Sequence, residues 1–291
     1  TQLIWNYTPE SIHDPFSNNS RKLTKSLNNQ KMNLPLLNPE MSADFNWIKN
    51  DSGVATPYDL GGRKSFTPDL GHKIWESSED NSFYAYIFKD KNNRLIGYVR
   101  IPSYVPDDTS VAVEEFSQII NKFEEETDAL VIDQVNNPGG SVFYLYTLAS
   151  MLSDQPLANP QHKMAINQKT IQEAYTELAQ LSKIKNEHDV NKAFPDGLGG
   201  YPATYQSVQF MKGYLNFLIS EWNAGKKLTS PFWIAGVDQI NPNPNGQYTK
   251  PILLLVNELD FSGGDFFPAT LQDNKRVTVM GTRTSGAGGY V

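Results

Sequence analysis

The sequence predicts an α/β fold: a mixed sheet with crossover helices and a helical insertion. Three observations predict it. Two apolar runs, residues 129–132 and 252–256, are too short for helices, lack two-residue alternation and end at turn-forming residues. Such runs are strands covered on both faces, as in a parallel sheet between helices. After the first run, residues 142, 145, 148, 149 and 152 are apolar, which is a helical spacing. Finally, the order strand, helix, strand, helix between residues 95 and 152 is that of parallel strands joined by crossovers.

Taken along the chain, residues 1–64 are rich in Asn, Ser, Pro and Lys without a sustained period, and read as a loop or linker segment. The first part of the core covers residues 65–156. Phe83 to Phe88, the polar stretch Asp90 to Arg94 and Leu95 to Ile101 read as a β-hairpin. Residues 110–126 form a helix with Val113, Phe116, Ile119, Ile120 and Phe123 on one face. Asn136-Asn137-Pro138 makes a turn, and Gly139-Gly140 lets backbone approach a neighbour closely. Taken alone, Asn136 to Gly140 is a strand-to-helix turn and no more.

Residues 157–250 read as a helical insertion, with helices at 171–184 and 205–222. Its aromatic residues (Tyr201, Tyr205, Phe210, Tyr214, Phe217, Trp222, Phe232 and Trp233) suit either a cleft for peptide side chains or the insertion's own small core. Residues 251–291 hold the second buried strand and the end of the core. There Ser262 stands where a helix begins, beside two glycines. Open backbone, donor N–H groups and the positive end of a helix dipole meet at that point. A nucleophile and the oxyanion it creates are well placed there.

Composition narrows the function. The chain has 291 residues, 39% hydrophobic and 20% charged, with a net charge of −7 and no cysteine. The acidic balance argues against nucleic acid or an anionic membrane surface as a partner. Without cysteine there is neither a disulfide framework nor a thiolate metal site, and the four histidines show no metal-binding spacing. No run of 18 apolar residues occurs, and no cofactor is implied.

Four ordered stretches carry a resemblance: Gly97-Tyr-Val-Arg-Ile101, Leu130-Val-Ile-Asp-Gln-Val-Asn-Asn-Pro-Gly-Gly140, Phe261-Ser-Gly-Gly-Asp265 and Gly281-Thr-Arg-Thr-Ser-Gly-Ala-Gly-Gly289. Together they resemble the C-terminal-processing (tail-specific) serine peptidase family, over roughly residues 65–291. The resemblance implies a crotonase-like core, polypeptide substrates and a secreted or exported bacterial protein. It implies Ser262 as nucleophile, with Gly263, Gly139 and Gly140 in the region that supplies oxyanion-hole amides. Asp133 matches a strand-end carboxylate with a structural part, bonding the turn. Two departures stand out: Val135 replaces the family's arginine, and Ala287 replaces the lysine that serves some members as general base.

Ser262 then needs another base, and histidine is the usual one. None of His13, His72, His162 and His188 has the family's Asp-x-His context. His72 is expected to pack or face solvent, His162 and His188 to be surface residues, and His13 to lie in unstructured chain. The chain begins at Thr1 without a methionine and stops after a glycine-rich strand. It is therefore expected to be an interior piece of a longer protein. The base and its carboxylate would come from flanking parts, a complementary fragment or a second copy. An exposed sheet edge near residues 97–101 is expected to hold substrate. The main rival reading is a peptidase-fold module that binds peptide or ligand without turnover. A weaker rival is an acyl-transfer or hydratase enzyme, which would need an acyl-CoA pocket and no serine at this turn.

Overall fold

The computed structural model describes residues 60–64, 70–195, 197 and 203–290, so the reading of residues 1–59 lies outside the described residues. Six strands form the central sheet in the order β1 (His72–Glu76), β2 (Ala85–Lys89), β3 (Leu95–Arg100), β4 (Ala129–Asp133), β9 (Ile252–Val256), β10 (Thr278–Gly281). The first two pairings, β1 to β2 and β2 to β3, are antiparallel, while β3 to β4, β4 to β9 and β9 to β10 are parallel. The sheet is thus mixed, with its parallel half built on the two buried apolar runs.

Crossovers follow from the sequence pattern. Helix α1 (Thr109–Glu126) joins β3 to β4 and buries Phe116, Ile119, Ile120 and Phe123. Asp108 caps it by accepting a hydrogen bond from Val111 N at 3.0 Å, a cap typically stabilising by about 1 kcal/mol. Helix α2 (Val142–Ser150) is buried at every position, which explains why its apolar pattern runs almost all round. Helix α6 (Gly263–Asp273) follows β9. The three helices share one core with Val99, Ile132 and Leu254 of the sheet. On the opposite face Tyr86, Phe88, Ile96, Tyr98 and Val131 form a second cluster, so the central strands are covered on both sides.

The expected substrate edge at residues 97–101 is corrected. Strand β3 is hydrogen-bonded to β2 on one side and to β4 on the other, because the hairpin folds back over it. The outer strands of the sheet are β1 and β10.

Residues 157–250 lie between two strands adjacent in the sheet, β4 and β9. They hold β5 (Leu157–Ala158), β6 (Gln161–His162), α3 (Gln168–Leu181), α4 (Glu187–Ala193), α5 (Tyr205–Asn223), β7 (Phe232–Trp233) and β8 (Gln239–Ile240). The short α4 has too few apolar residues for a periodic signal; its start is set by the Asn186 side chain, which caps Asp189 N. Of the aromatics, Phe217 stacks on Phe232 at 4.2 Å between ring centres, with Tyr214 and Trp233 beside Phe232. These rings form a local core, whereas Phe210 and Trp222 are exposed and Tyr201 lies outside the described residues. His162 is not a plain surface residue. It is half-buried with Nε2 3.4 Å from Tyr214 Oη, and burial holds its pKa below the usual histidine value.

Candidate active site

The site stands at the carboxyl ends of β4 and β9, where two loops meet. Such an end of a parallel sheet is where α/β proteins place ligands. After β9, residues 257–260 turn tightly, with Asp260 N donating to Asn257 O at 3.1 Å. Ser262 follows at the N-cap of α6, with φ +54° and ψ −106°. That conformation lies outside the regular regions and costs on the order of 1–3 kcal/mol unless the surroundings enforce it. The enforcement is visible. Phe261 N donates to Asn137 O at 2.9 Å, and Ser262 O accepts from Asp265 N and Phe266 N at 2.9 and 3.2 Å. Ser262 is 5% exposed.

The second loop follows β4. Its turn is anchored by Asp133, which accepts from Val135 N at 2.9 Å. Arg100, from the Gly97 to Ile101 stretch, makes a fully buried pair with Asp133 at 3.3 Å and donates to Val135 O at 2.7 Å. Its guanidinium thus supports the turn whose own arginine is replaced by Val135. The loop then crosses to the serine turn. Asn136 N donates to Asn257 Oδ1, and Asn257 Nδ2 donates back to Asn136 Oδ1. Asn137 N donates to Asp260 Oδ1 at 2.9 Å.

The structure distinguishes the three glycines. Gly139 N donates to Asn137 Oδ1 at 2.8 Å, so its amide is already committed. Its importance is room. At φ +89°, a Cβ there would sit 2.4 Å from Phe261 O and 2.9 Å from Ser262 Cβ. Only glycine lets this loop lie directly on the serine turn. Gly140 has φ +140°, and a Cβ there would meet Tyr104 C and O at 2.4 Å. The Gly263 position is crowded by Tyr104 Cδ2, and a Cβ on it would lie 3.3 Å from Gly140 N. Among the described residues, the N–H groups of Gly140 and Gly263 donate to no backbone or side-chain acceptor. Backbone amides left over at the start of a helix are the kind of donor that an anion can use.

A buried polar group that sequence reasoning missed ties the loops together. Tyr104 Oη donates to Gln134 Oε1 at 2.9 Å. Gln134 Nε2 donates to Asp260 Oδ2 at 3.1 Å and to Gly264 O at 2.8 Å. Asp260 Oδ2 also accepts from Asn257 N at 3.0 Å. Burial pushes the Asp260 carboxyl up to about 7, against the pull of these donors and of Arg100. Burial likewise raises the Tyr104 phenol well above its usual range. The one sequence signal for this network was an acid inside the apolar stretch Leu259-Asp260-Phe261.

The glycine-rich stretch after β10 folds over the start of α6. Asp265 holds it by accepting from Gly286 N and Gly288 N, both at 2.8 Å. Ala287 occupies the position of the family's lysine in this loop.

The histidines lie elsewhere. His72 pairs with Lys89, which pairs with Leu95, the first residue of β3. It therefore stands at the amino-terminal end of the parallel strands, opposite Ser262, and four strand spacings from β9. His162 is in the insertion, His188 is exposed on α4, and His13 lies outside the described residues.

A serine on a strained strand-to-helix turn, at the carboxyl ends of the parallel strands of a mixed sheet, is an arrangement that serine hydrolases of α/β fold use. Residues 95–291 match the model of peptidase family S41, and the chain belongs to that family. An uncharacterized protein of Chlamydia muridarum is 40% identical over 316 residues, spanning 99% of this chain and 52% of that protein. A Chlamydia trachomatis protein is 40% identical over 252 residues, spanning 82% of this chain and 42% of its own length. Among solved structures, mature CPAF, the chlamydial protease-like activity factor, superposes with TM-score 0.70 at 39% identity, covering 81% of this chain and 46% of that one. Mature CPAF complexed with lactacystin gives 0.69 at 37% identity, over 81% and 48% of the two chains. The crotonase-like α/β reading of the core stands with these neighbours. The chain spans about half the length of the curated relatives it matches.

Proposed function

We propose that this chain carries the nucleophile and oxyanion site of a serine endopeptidase acting on polypeptides. The observation that carries the reading is the corner at Ser262: a strained serine at a helix N-terminus, with the amides of Gly140 and Gly263 alongside, neither donating to an acceptor among the described residues. Membership of peptidase family S41 supports it. In the reaction, Ser262 Oγ bonds to the peptide carbonyl carbon, and the carbonyl electron pair moves to oxygen. The amides of Gly263 and Gly140 hold that oxyanion. A base takes the hydroxyl proton and returns it to the leaving amine as the C–N bond breaks, leaving an acyl-serine that water then hydrolyses.

The base and its orienting carboxylate come from outside the described residues: the remainder of a longer chain, a complementary fragment or a second copy. We place the protein among secreted or exported bacterial proteins on family resemblance. A second reading, a peptidase-fold module that binds peptide without turnover, is favoured by Ala287 at the lysine position and by the remote described histidines.

One experiment separates them. The full-length parent is treated with a fluorophosphonate and, separately, with fluorescein-labelled casein. Ser262 is expected to be the labelled residue, and Ser262→Ala to abolish both labelling and casein cleavage. Equal cleavage by the alanine variant would overturn the assignment. A wild-type protein that neither labels nor cleaves would favour the binding module.

A further inference from the structure

We propose that the buried series Tyr104–Gln134–Asp260 positions the two oxyanion amides, with Tyr104 as the residue that sets their spacing. This inference rests on the proposed function and adds to it which residues hold the site in register.

Tyr104 touches both halves of the corner. Its backbone clamps the first half: Tyr104 N donates to Gly139 O at 2.8 Å, and Tyr104 O accepts from Ser141 N at 2.9 Å. Gly140, between those two bonds, has its orientation fixed by them. The Tyr104 ring lies over the second half, so close that a Cβ on Gly263 would stand 2.9 Å from Cδ2. The ring is fully buried and packs on Phe267 of α6 at 5.5 Å between centres. Its position along the site is set by one polar contact, the hydroxyl to Gln134 Oε1 at 2.9 Å.

Gln134 transmits that position. Its amide is used on both sides, Oε1 by Tyr104 and Nε2 by Asp260 and Gly264 O. The network assigns the amide orientation, since a flipped group would face Tyr104 with a donor and two acceptors with an oxygen. Gly264 follows Gly263 in α6, so Gln134 holds the helix start that presents the second amide. Asp260 closes the arrangement by taking Asn137 N on one oxygen and Asn257 N on the other. Gln134 and Asp260 therefore each bond one loop to the other, while Tyr104 bonds the first loop and packs its ring against the second. A displacement of about 1 Å in such a site typically costs 10²-fold in rate.

The test uses the full-length parent with Tyr104→Phe, which removes only the hydroxyl, and Gln134→Glu, which replaces the donor. Ser262→Ala is the control. The readouts are the rate constant of Ser262 phosphonylation by a fluorophosphonate, kcat and KM on fluorescein-labelled casein per labelled site, and Tm. Tyr104→Phe is expected to lower phosphonylation and kcat about 10-fold, with KM within about twofold and Tm within a few degrees. Gln134→Glu is expected to lower them further, and Tyr104→Phe decides if that variant fails to fold. A purely structural role would lower Tm and the number of labelled sites while leaving the rate per site unchanged. Tyr104→Phe with a per-site rate within twofold of wild type overturns the inference, provided wild type labels at Ser262 and Ser262→Ala is inactive. Should wild type not label there, the underlying serine assignment fails, and this inference fails with it.

Discussion

Gln134 supplies Gly264 with the hydrogen bond that Pro268 cannot. Inside α6, the carbonyl of Gly264 would ordinarily accept from the N–H four residues on, but that residue is Pro268, which has none. The carbonyl is met by Gln134 Nε2 at 2.8 Å. A helix defect thereby becomes an attachment point, binding the start of α6 to the end of β4. Pro268→Ala restores a competing donor. The restored helix bond and better propensity, worth up to about 3 kcal/mol, oppose the loss of a buried ring. Stability is therefore expected to change by less than about 1–2 kcal/mol, while the rate of Ser262 phosphonylation falls several-fold as Gln134 loses its partner. Urea unfolding and the labelling rate, measured on one preparation, check both halves. A faster labelling rate would contradict the attachment role.

Gly140 is expected to be far less tolerant than a glycine used only for its backbone angle. A methyl group at Gly140 would meet the Tyr104 backbone at 2.4 Å, where no side chain can swing aside. At Gly225, φ is +77° but nothing lies within 4 Å of an added Cβ. Gly225→Ala should cost only backbone strain, about 1 kcal/mol. Gly140→Ala adds overpacking to strain and should cost about 2–5 kcal/mol. It should also slow each folded molecule, because the displaced backbone carries one of the two amides. Paired urea denaturations decide it; equal losses for the two variants would show that the close approach is not rigid.

Asp260 predicts a pH dependence of stability with a definite sign. Its carboxyl titrates near 7 in the folded protein, raised by burial from an ordinary value near 3.8. The folded state then binds a proton that the unfolded state has released, so stability falls with rising pH across that window. The contribution is fully present below about pH 4 and is lost as pH rises through 7. Its full span is on the order of 4 kcal/mol. Asp260→Asn does not titrate, so the stability of wild type relative to this variant should shrink between pH 5 and pH 8. Urea midpoints at four pH values give the trend, and a difference that grows with pH would show that the carboxylate is held ionised by its donors.

Much of this architecture is legible from local pattern, and the rest fails for identifiable reasons. Strands 129–133 and 252–256 and helix 109–126 announce themselves, because burial on both faces leaves an unbroken apolar run and burial on one face leaves a helical period. The proximity of Gly139-Gly140 to Ser262 is invisible in spacing, since more than a hundred residues separate them; only the resemblance to known peptidases brought them together. Gln134 and Asp260 escaped because a single buried polar residue has no period. Their roles exist only once β4 and β9 are neighbours. The supposed edge at 97–101 failed for the same reason in reverse: strand pairing on both sides is a tertiary fact that β3 does not display. His162 looked solvated among Gln and Lys, yet β6 turns it toward Tyr214.

The described histidines are expected to be dispensable for catalysis. His72 lies at the wrong end of the parallel strands, and four strand spacings of about 4.8 Å put it roughly 19 Å from β9 across the sheet. A general base must reach the serine hydroxyl at about 3 Å or through one water. His162 is engaged with Tyr214 in the insertion, and its depressed pKa follows from burial there rather than from a charged partner. His188 is solvent-exposed on α4. In the full-length parent, His72→Ala, His162→Ala and His188→Ala should each keep casein turnover per labelled site within about threefold of wild type. His162→Ala should lose stability, by about 1–3 kcal/mol, because it opens a half-buried contact with Tyr214. A true general base contributes 10²–10⁴ in rate, so its removal could not be mistaken for such an effect. A drop of a hundredfold or more in any one of these variants, with Tm unchanged, would place the base within the described chain and require a rearrangement that brings that histidine to Ser262.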